Sequence, residues 1–108
     1  MATARLATQS ISNWHSFHEV CKQAFGFPNF YGENMNAWID CLTYLYEGDG
    51  MSRFHLSEGE TLIIEIPEAE SFSSRQPEIF KALVDCIAFV NRRYLESGRQ
   101  PALLLVLL

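Results

Sequence analysis

Apolar residues recur at steps of three and four residues in three stretches of the chain, a spacing typical of helices with one buried face. The first stretch ends at about Phe25, the second covers residues 34–46, and the third runs from Pro77 to about Ser97. Gly or Pro residues follow each stretch, as is usual after helix ends. The pattern therefore predicts three main helices, with a short helical turn near residues 68–72.

Three other stretches are predicted to be strands. Residues 3–7 alternate weakly, residues 61–66 are β-branched and apolar, and residues 102–107 form a continuous apolar run. Such a run suits a strand that is buried on both faces of a parallel sheet. Because parallel strands need crossover connections, which the helices supply, we expect one α/β domain over residues 1–108. Its core would be a three-stranded parallel sheet flanked by helices.

Composition narrows the class of protein. The chain has 108 residues, 48% of them hydrophobic, so it can build one core without a metal or disulfides. Its three cysteines are widely spaced and match no metal-ligand pattern, which favours reduced thiols in a cytoplasmic protein. We see no signal peptide, no motif for a cofactor, and no apolar stretch long enough to span a bilayer.

Charge is concentrated in the middle of the chain. The net charge is −5, but residues 33–70 contain nine acidic residues and a single base, Arg53. The acidic residues are Glu33, Asp40, Glu47, Asp49, Glu58, Glu60, Glu65, Glu68 and Glu70. Such a segment disfavours nucleic acid, whose binding requires Lys and Arg, and attracts a basic protein partner. The alternative is a solvated face that only aids solubility.

The second helix is amphipathic, with a polar and acidic outer stripe over about residues 34–47. At about 100° per residue, Asn36, Asp40, Thr43 and Glu47 fall on one side and the large apolar residues on the other. No Lys or Arg lies three or four residues from Asp40, so no basic side chain on this helix can pair with it. We expect Asp40 to point outward without an intramolecular cation, available to a partner. An ordinary solvated aspartate is the alternative.

Residues 30–43 resemble the signature of the barstar family, with Tyr-Gly-Glu-Asn at 31–34 followed by Asp-Cys-Leu-Thr at 40–43. The order of predicted elements agrees along nearly the whole chain. This resemblance implies a barstar-like fold, no enzymatic activity, and inhibition of a barnase-type ribonuclease, with Asp40 as the central anion. The partner-binding residues that it implies are Phe30, Gly32, Asn34, Met35, Asn36, Ile39, Asp40, Thr43, Tyr44 and Glu47.

The sequence departs from the family pattern at several of these positions. Asn36 stands where the archetype has an acid, Ile39 where it has a tryptophan, and Phe30 lacks a phenol. Arg93 falls where the archetype has an acidic contact on the last helix. An immunity or regulatory protein of the same fold, with a basic partner that is not a guanyl-specific ribonuclease, is therefore the alternative function. We expect a monomer in the free state.

Other candidate residues receive structural interpretations. Gly32 is expected to adopt a left-handed turn, and Glu33 to place its carboxylate at the free N–H groups of the second helix. His15 and His18 are spaced for a metal site, but the sequence shows no third ligand, so we expect histidines at the surface or edge of the helix. No set of base, nucleophile and oxyanion donors is evident, which argues against an enzyme.

Overall fold

The computed structural model describes residues 2–48 and 50–108, so Asp49, counted above among the acidic residues, lies outside the described part. The elements are β1 (Ala2–Arg5), a 3-10 turn (Thr8–Ser10), α1 (Trp14–Phe25), α2 (Met35–Thr43), β2 (Leu62–Ile66), α3 (Ala69–Arg75), α4 (Pro77–Glu96) and β3 (Leu103–Leu107). The predicted order of strands and helices is confirmed. The turn expected near residues 68–72 is a helix of two turns.

The three strands form one parallel sheet in the order β1-β2-β3. In its register, Thr3 lies opposite Ile63, and Ile63 lies opposite Leu104. The α1–α2 segment provides the crossover from β1 to β2, and the α3–α4 segment provides the crossover from β2 to β3. The α/β fold with a three-stranded parallel sheet and helices is therefore as predicted.

Strand β3 does not have the burial that its apolar composition predicts. Leu103 is buried, but Leu104 on the opposite face is 51% exposed, and Leu107 at the end is 54% exposed. The expectation of burial on both faces is wrong because only one face of the sheet packs on the core. On the other face, in register with Leu104, Ile63 is half-buried and Thr3 is exposed. A short apolar run can therefore mark a singly covered strand as well as a doubly covered one.

The core lies between the helices and the covered face of the sheet. Leu62, Ile64 and Ile66 alternate inward along β2 and are completely buried. On the helical side, Phe25 of α1 meets Trp38 of α2 edge to face, with ring centroids 5.9 Å apart. This packing buries the inner face of α2 and leaves its outer face toward solvent. Within the described residues, no helix has the length and apolar character needed to cross a membrane.

Tyr94 of α4 joins α2 to the rest of the molecule and determines where α2 ends. Its buried hydroxyl donates to the carbonyl of Leu42 at 2.7 Å and accepts from the N–H of Leu45 at 3.0 Å. These two backbone groups belong to the end of α2 and would otherwise need other partners. The predicted helix over residues 34–46 is therefore too long, because the regular helix ends at Thr43 and a turn follows.

The segment over residues 51–60, expected to be an exposed loop, is anchored to α1. Arg53, the only base in the acidic segment, donates from its backbone N–H to the carbonyl of Phe25 and from Nε to the carbonyl of Ala24. Leu56 is buried and donates its N–H to the carbonyl of Leu45. Because Arg53 caps the C-terminus of α1, it is not placed to neutralise the acidic face of α2.

We predict that Tyr94→Phe lowers the free energy of unfolding by about 1–3 kcal/mol, because it leaves buried backbone groups of Leu42 and Leu45 without partners. The measurement is urea unfolding at neutral pH. Tyr44→Phe is the matched control, since the Tyr44 ring is exposed and its change should stay within about 0.5 kcal/mol. Equal effects of the two substitutions would contradict the role given to the Tyr94 hydroxyl.

Candidate protein-binding site

The start of α2 is built by the turn at residues 30–34. The Asn34 side chain caps the helix by accepting from the N–H of Ala37 at 2.8 Å, and its amide donates to the carbonyl of Gly32 at 3.2 Å. Glu33, not Gly32, has the left-handed backbone, with φ of 51°. The expectation for Gly32 is therefore wrong. The Asn34 amide lies 3.2 Å from where a Cβ on residue 32 would sit, so this glycine permits close packing instead.

The carboxylate of Glu33 also differs from its predicted role. It does not cap α2, because the Asn34 side chain already does so. Instead Glu33 Oε1 lies 2.8 Å from Nδ1 of His15, which ties the turn before α2 to α1. The cap assigned to the acid is thus provided by its neighbour, and the acid joins two elements.

The residues predicted to contact a partner are mostly accessible. Phe30 is 75% exposed in the turn before α2, and Asp40 has a side chain that is 59% exposed. Gly32, Asn34, Asn36, Tyr44 and Glu47 are exposed as well. Met35, Ile39 and Thr43 are half-buried at the borders of the face. Tyr44 and Glu47 lie in the turn that follows the helix, so this surface extends beyond α2 itself.

The expectation that Asp40 has no intramolecular cation is wrong. Arg93 Nη1, from α4, lies 3.4 Å from Asp40 Oδ1, and both side chains are partly exposed. Counting residues along α2 could not find this pair, because the cation comes from another helix 53 positions later. Exposed single-contact pairs contribute at most about 1 kcal/mol, so Asp40 is partnered but not strongly held.

Arg93 is held more firmly by its other contacts than by Asp40. Nη1 donates to the Thr43 hydroxyl at 3.1 Å, and that hydroxyl donates in turn to the carbonyl of Ile39 at 2.7 Å. The guanidinium also lies over the Phe89 ring, 5.0 Å from its centroid. The exposed face of α2 therefore presents an anion and a cation side by side, where the sequence predicted an acidic stripe.

A small cleft lies next to this pair, between the end of α2 and α4. Its volume is about 170 Å³. It is lined by Thr43, Tyr44, Glu47, Arg93, Tyr94, Ser97 and Arg99. Arg99 is engaged by Glu58 at 3.0 Å and lies over the Tyr46 ring. Asp40 does not line the cleft, and its carboxylate lies 59% exposed on the outer face of α2.

A buried histidine supports the turn that leads into α2. His18 of α1 is buried and shares a hydrogen bond of 2.6 Å with the Tyr31 hydroxyl, which is buried as well. Burial lowers the pKa of His18, an effect that nearby Glu33 opposes and His15 reinforces. Burial also raises the pKa of Tyr31. The expectation of a surface position is wrong for His18, and the sequence did not identify this contact.

His15, by contrast, lies on the surface as expected. Its ring is grouped with the carboxylates of Glu19 and Glu33, with candidate ligand atoms within 4.8 Å of one another. The histidine spacing noted in the sequence does not create this group, because His18 turns inward. Cys41, which follows Asp40 in the sequence, is also buried and does not share the exposed face. The accessible chemistry at α2 is therefore charge pairing and apolar contact, both suited to binding a protein.

The fold and this surface define a small α/β protein in which one side of α2 is exposed to solvent. The family model described as Barstar (barnase inhibitor) matches residues 1–106, and the chain belongs to this family. A search of the curated proteins finds no match. The resemblance noted at residues 30–43 thus extends over almost the whole chain, and the family's members are inhibitors and not enzymes.

The His18–Tyr31 contact generates a prediction about pH. Because the folded protein lowers the pKa of His18, it favours the neutral ring. This stabilisation is fully present above the ordinary pKa of 6.5 and is lost as the pH falls below it, since the unfolded chain then binds the proton more readily. Unfolding measured between pH 7.5 and 5.5 should show this loss.

A variant without the titrating ring should respond less to pH. We expect His18→Gln to have a shallower fall in the free energy of unfolding over that range. Val20→Ala, a destabilising change at a half-buried position of the same helix, should keep the wild-type slope. An unchanged slope in His18→Gln would assign the pH dependence to other groups.

Proposed function

We propose that this protein inhibits a barnase-type ribonuclease by placing the exposed face of α2 in the nuclease's basic active site. The observation that carries the proposal is the family match over residues 1–106, taken together with the exposure of Asp40 at the centre of that face. An anion projecting from a rigid helix can occupy the position of an RNA phosphate. A cleft shaped to bind polyanions would then accept the protein and be blocked to substrate.

The contact with Arg93 does not prevent Asp40 from serving as this anion. An exposed pair with one contact at 3.4 Å is worth at most about 1 kcal/mol. A close charge pair in an interface can be worth more, since double-mutant cycles on barnase–barstar give coupling energies of about 1.5–7 kcal/mol. A nuclease cation can therefore compete for Asp40, while Arg93 keeps its bond to Thr43.

The surroundings of Asp40 suit a binding face that keeps its shape. Asn34 caps the start of α2, and the Tyr94 hydroxyl fixes its end. The inner side chains of α2, such as Trp38 and Leu42, are completely buried. A helix fixed in this way loses little conformational freedom on binding, which favours affinity.

A second candidate function keeps the fold and changes the partner. Arg93 places a positive charge beside Asp40, so this surface is less acidic than one that would bind any basic cleft. This favours an immunity or regulatory protein with another target. Affinity capture on the wild-type protein, with an Asp40→Ala column as control, separates the two. A basic ribonuclease retained only by the wild type supports the first function. A different protein retained in that way supports the second.

The direct test is a titration against a panel of small guanyl-type ribonucleases, barnase included, that follows both the heat of binding and the residual cleavage of RNA. We expect at least one nuclease to lose its activity at a 1:1 ratio. The proposal is contradicted if no member of the panel is bound, or if a bound nuclease continues to cleave RNA.

For a nuclease that is inhibited, we predict that Asp40→Ala weakens binding by about 2–5 kcal/mol, mainly through faster dissociation. Asp85→Ala is the matched control, because Asp85 is also a helical aspartate with a 62% exposed side chain and an intramolecular cation, Lys81, at 2.8 Å. The control should change binding by less than about 0.5 kcal/mol. Surface plasmon resonance gives both rates, and equal losses for the two variants would remove Asp40 from the centre of the interface.

A further inference from the structure

Arg93 cannot stay outside an interface that contains Asp40. Its Nη1 lies 3.4 Å from the Asp40 carboxylate and 3.1 Å from the Thr43 hydroxyl. A partner that excludes water from Asp40 and Thr43 therefore excludes it from this guanidinium as well. The partner must consequently meet a positive charge within a few ångströms of the negative charge that it recognises.

The guanidinium still has hydrogen-bonding capacity for a partner to use. Both of its hydrogen bonds involve Nη1, and among the described residues no hydrogen bond involves Nε or Nη2. The side chain is 38% exposed, so water can solvate these donors in the free protein. Removing that water without replacing the bonds is costly, because a buried charge without a partner is strongly destabilising.

Arg93 is also restrained from turning away. Its bond to Thr43 is backed by the Thr43 bond to Ile39, and the guanidinium lies over the Phe89 ring. Turning toward solvent would give up both contacts. A partner therefore meets the cation in a fixed place, with the three N–H bonds of Nε and Nη2 still available.

We propose that the partner presents a carboxylate to Arg93, next to the cation that it presents to Asp40. A carboxylate matches the guanidinium fork and can accept two parallel hydrogen bonds from it. The cleft of about 170 Å³ beside Arg93 has room for one short side chain. This inference rests on the proposed function and specifies its partner: a ribonuclease whose active-site rim carries both signs of charge.

Among the charged residues that line the cleft, Arg93 is the one that can attract the partner's carboxylate. Arg99 is already paired with Glu58. Glu47 opposes an incoming carboxylate, but it is exposed at the rim, where water and salt screen its charge. A cleft of uniformly positive charge would instead place a cation against Arg93, and like charges in an interface cost several kcal/mol.

The experiment uses the ribonuclease of the panel that the wild-type protein inhibits most strongly. Loss of the Arg93–carboxylate pair should weaken binding of Arg93→Ala by about 30-fold or more, the equivalent of about 2 kcal/mol. Arg93→Lys, which keeps the charge but loses the fork, should give an intermediate loss. Arg92→Ala is the matched control, since Arg92 is the neighbouring, exposed arginine, and it should change affinity less than about 3-fold.

Charge reversal tests the sign of the partner's group. Arg93→Glu should bind the nuclease more weakly than Arg93→Ala does. Replacing one carboxylate residue of the nuclease by Arg should restore binding of the Arg93→Glu variant. Thermal unfolding of each variant shows whether it is folded, and only variants that fold like the wild type are compared.

The alternative results separate this inference from the proposed function. If Arg93→Ala binds the nuclease more tightly or unchanged, the partner is uniformly basic at this point and the carboxylate proposal is wrong, while inhibition itself stands. If no nuclease in the panel binds the wild-type protein, the proposed function fails and this inference fails with it.

Discussion

The proposed binding face of α2 depends on the hydrogen bonds by which Tyr94 joins α4 to the end of α2. The hydroxyl satisfies the carbonyl of Leu42 and the N–H of Leu45 where the helix stops, 52 and 49 positions earlier in the chain, respectively. Burial raises the pKa of Tyr94 to about 12, so the phenol stays protonated and able to donate at neutral pH. This connection also brings Arg93, which precedes Tyr94 in the sequence, next to Asp40 and Thr43.

The pairing of Asp40 on α2 with Arg93 on α4 changes what this surface can recognise. A uniformly acidic face would attract any basic protein and discriminate poorly among them. An anion with a fixed cation beside it rejects partners that match only the anion, because specificity requires a penalty for the wrong partner as well as a gain for the right one. In the proposed complex, the acidic segment would therefore provide long-range attraction, and Arg93 would provide short-range selection.

The sequence predicted the parts of the structure that depend on local pattern. Helical periodicity identified α1, α2 and α4, and the resemblance at residues 30–43 identified the family that the whole chain then matched. It did not predict interactions between distant elements. The cation beside Asp40 comes from α4, and the buried partner of His18 comes from the turn before α2. The exposure of Leu104 depends on which face of the sheet the helices cover. None of these is encoded in residue spacing within one element.

Hydrogen exchange of this protein, free and saturated with an inhibited ribonuclease, tests the central claim most directly. The account predicts slower exchange in the complex for backbone amides of α2 and of the turns at 30–34 and 44–47, together with the α4 amides around Arg93. It predicts little change at the exposed edge of β3. Slowed exchange confined to the sheet face or to α1, with α2 amides exchanging as in the free protein, would show that the inhibitor binds through another surface.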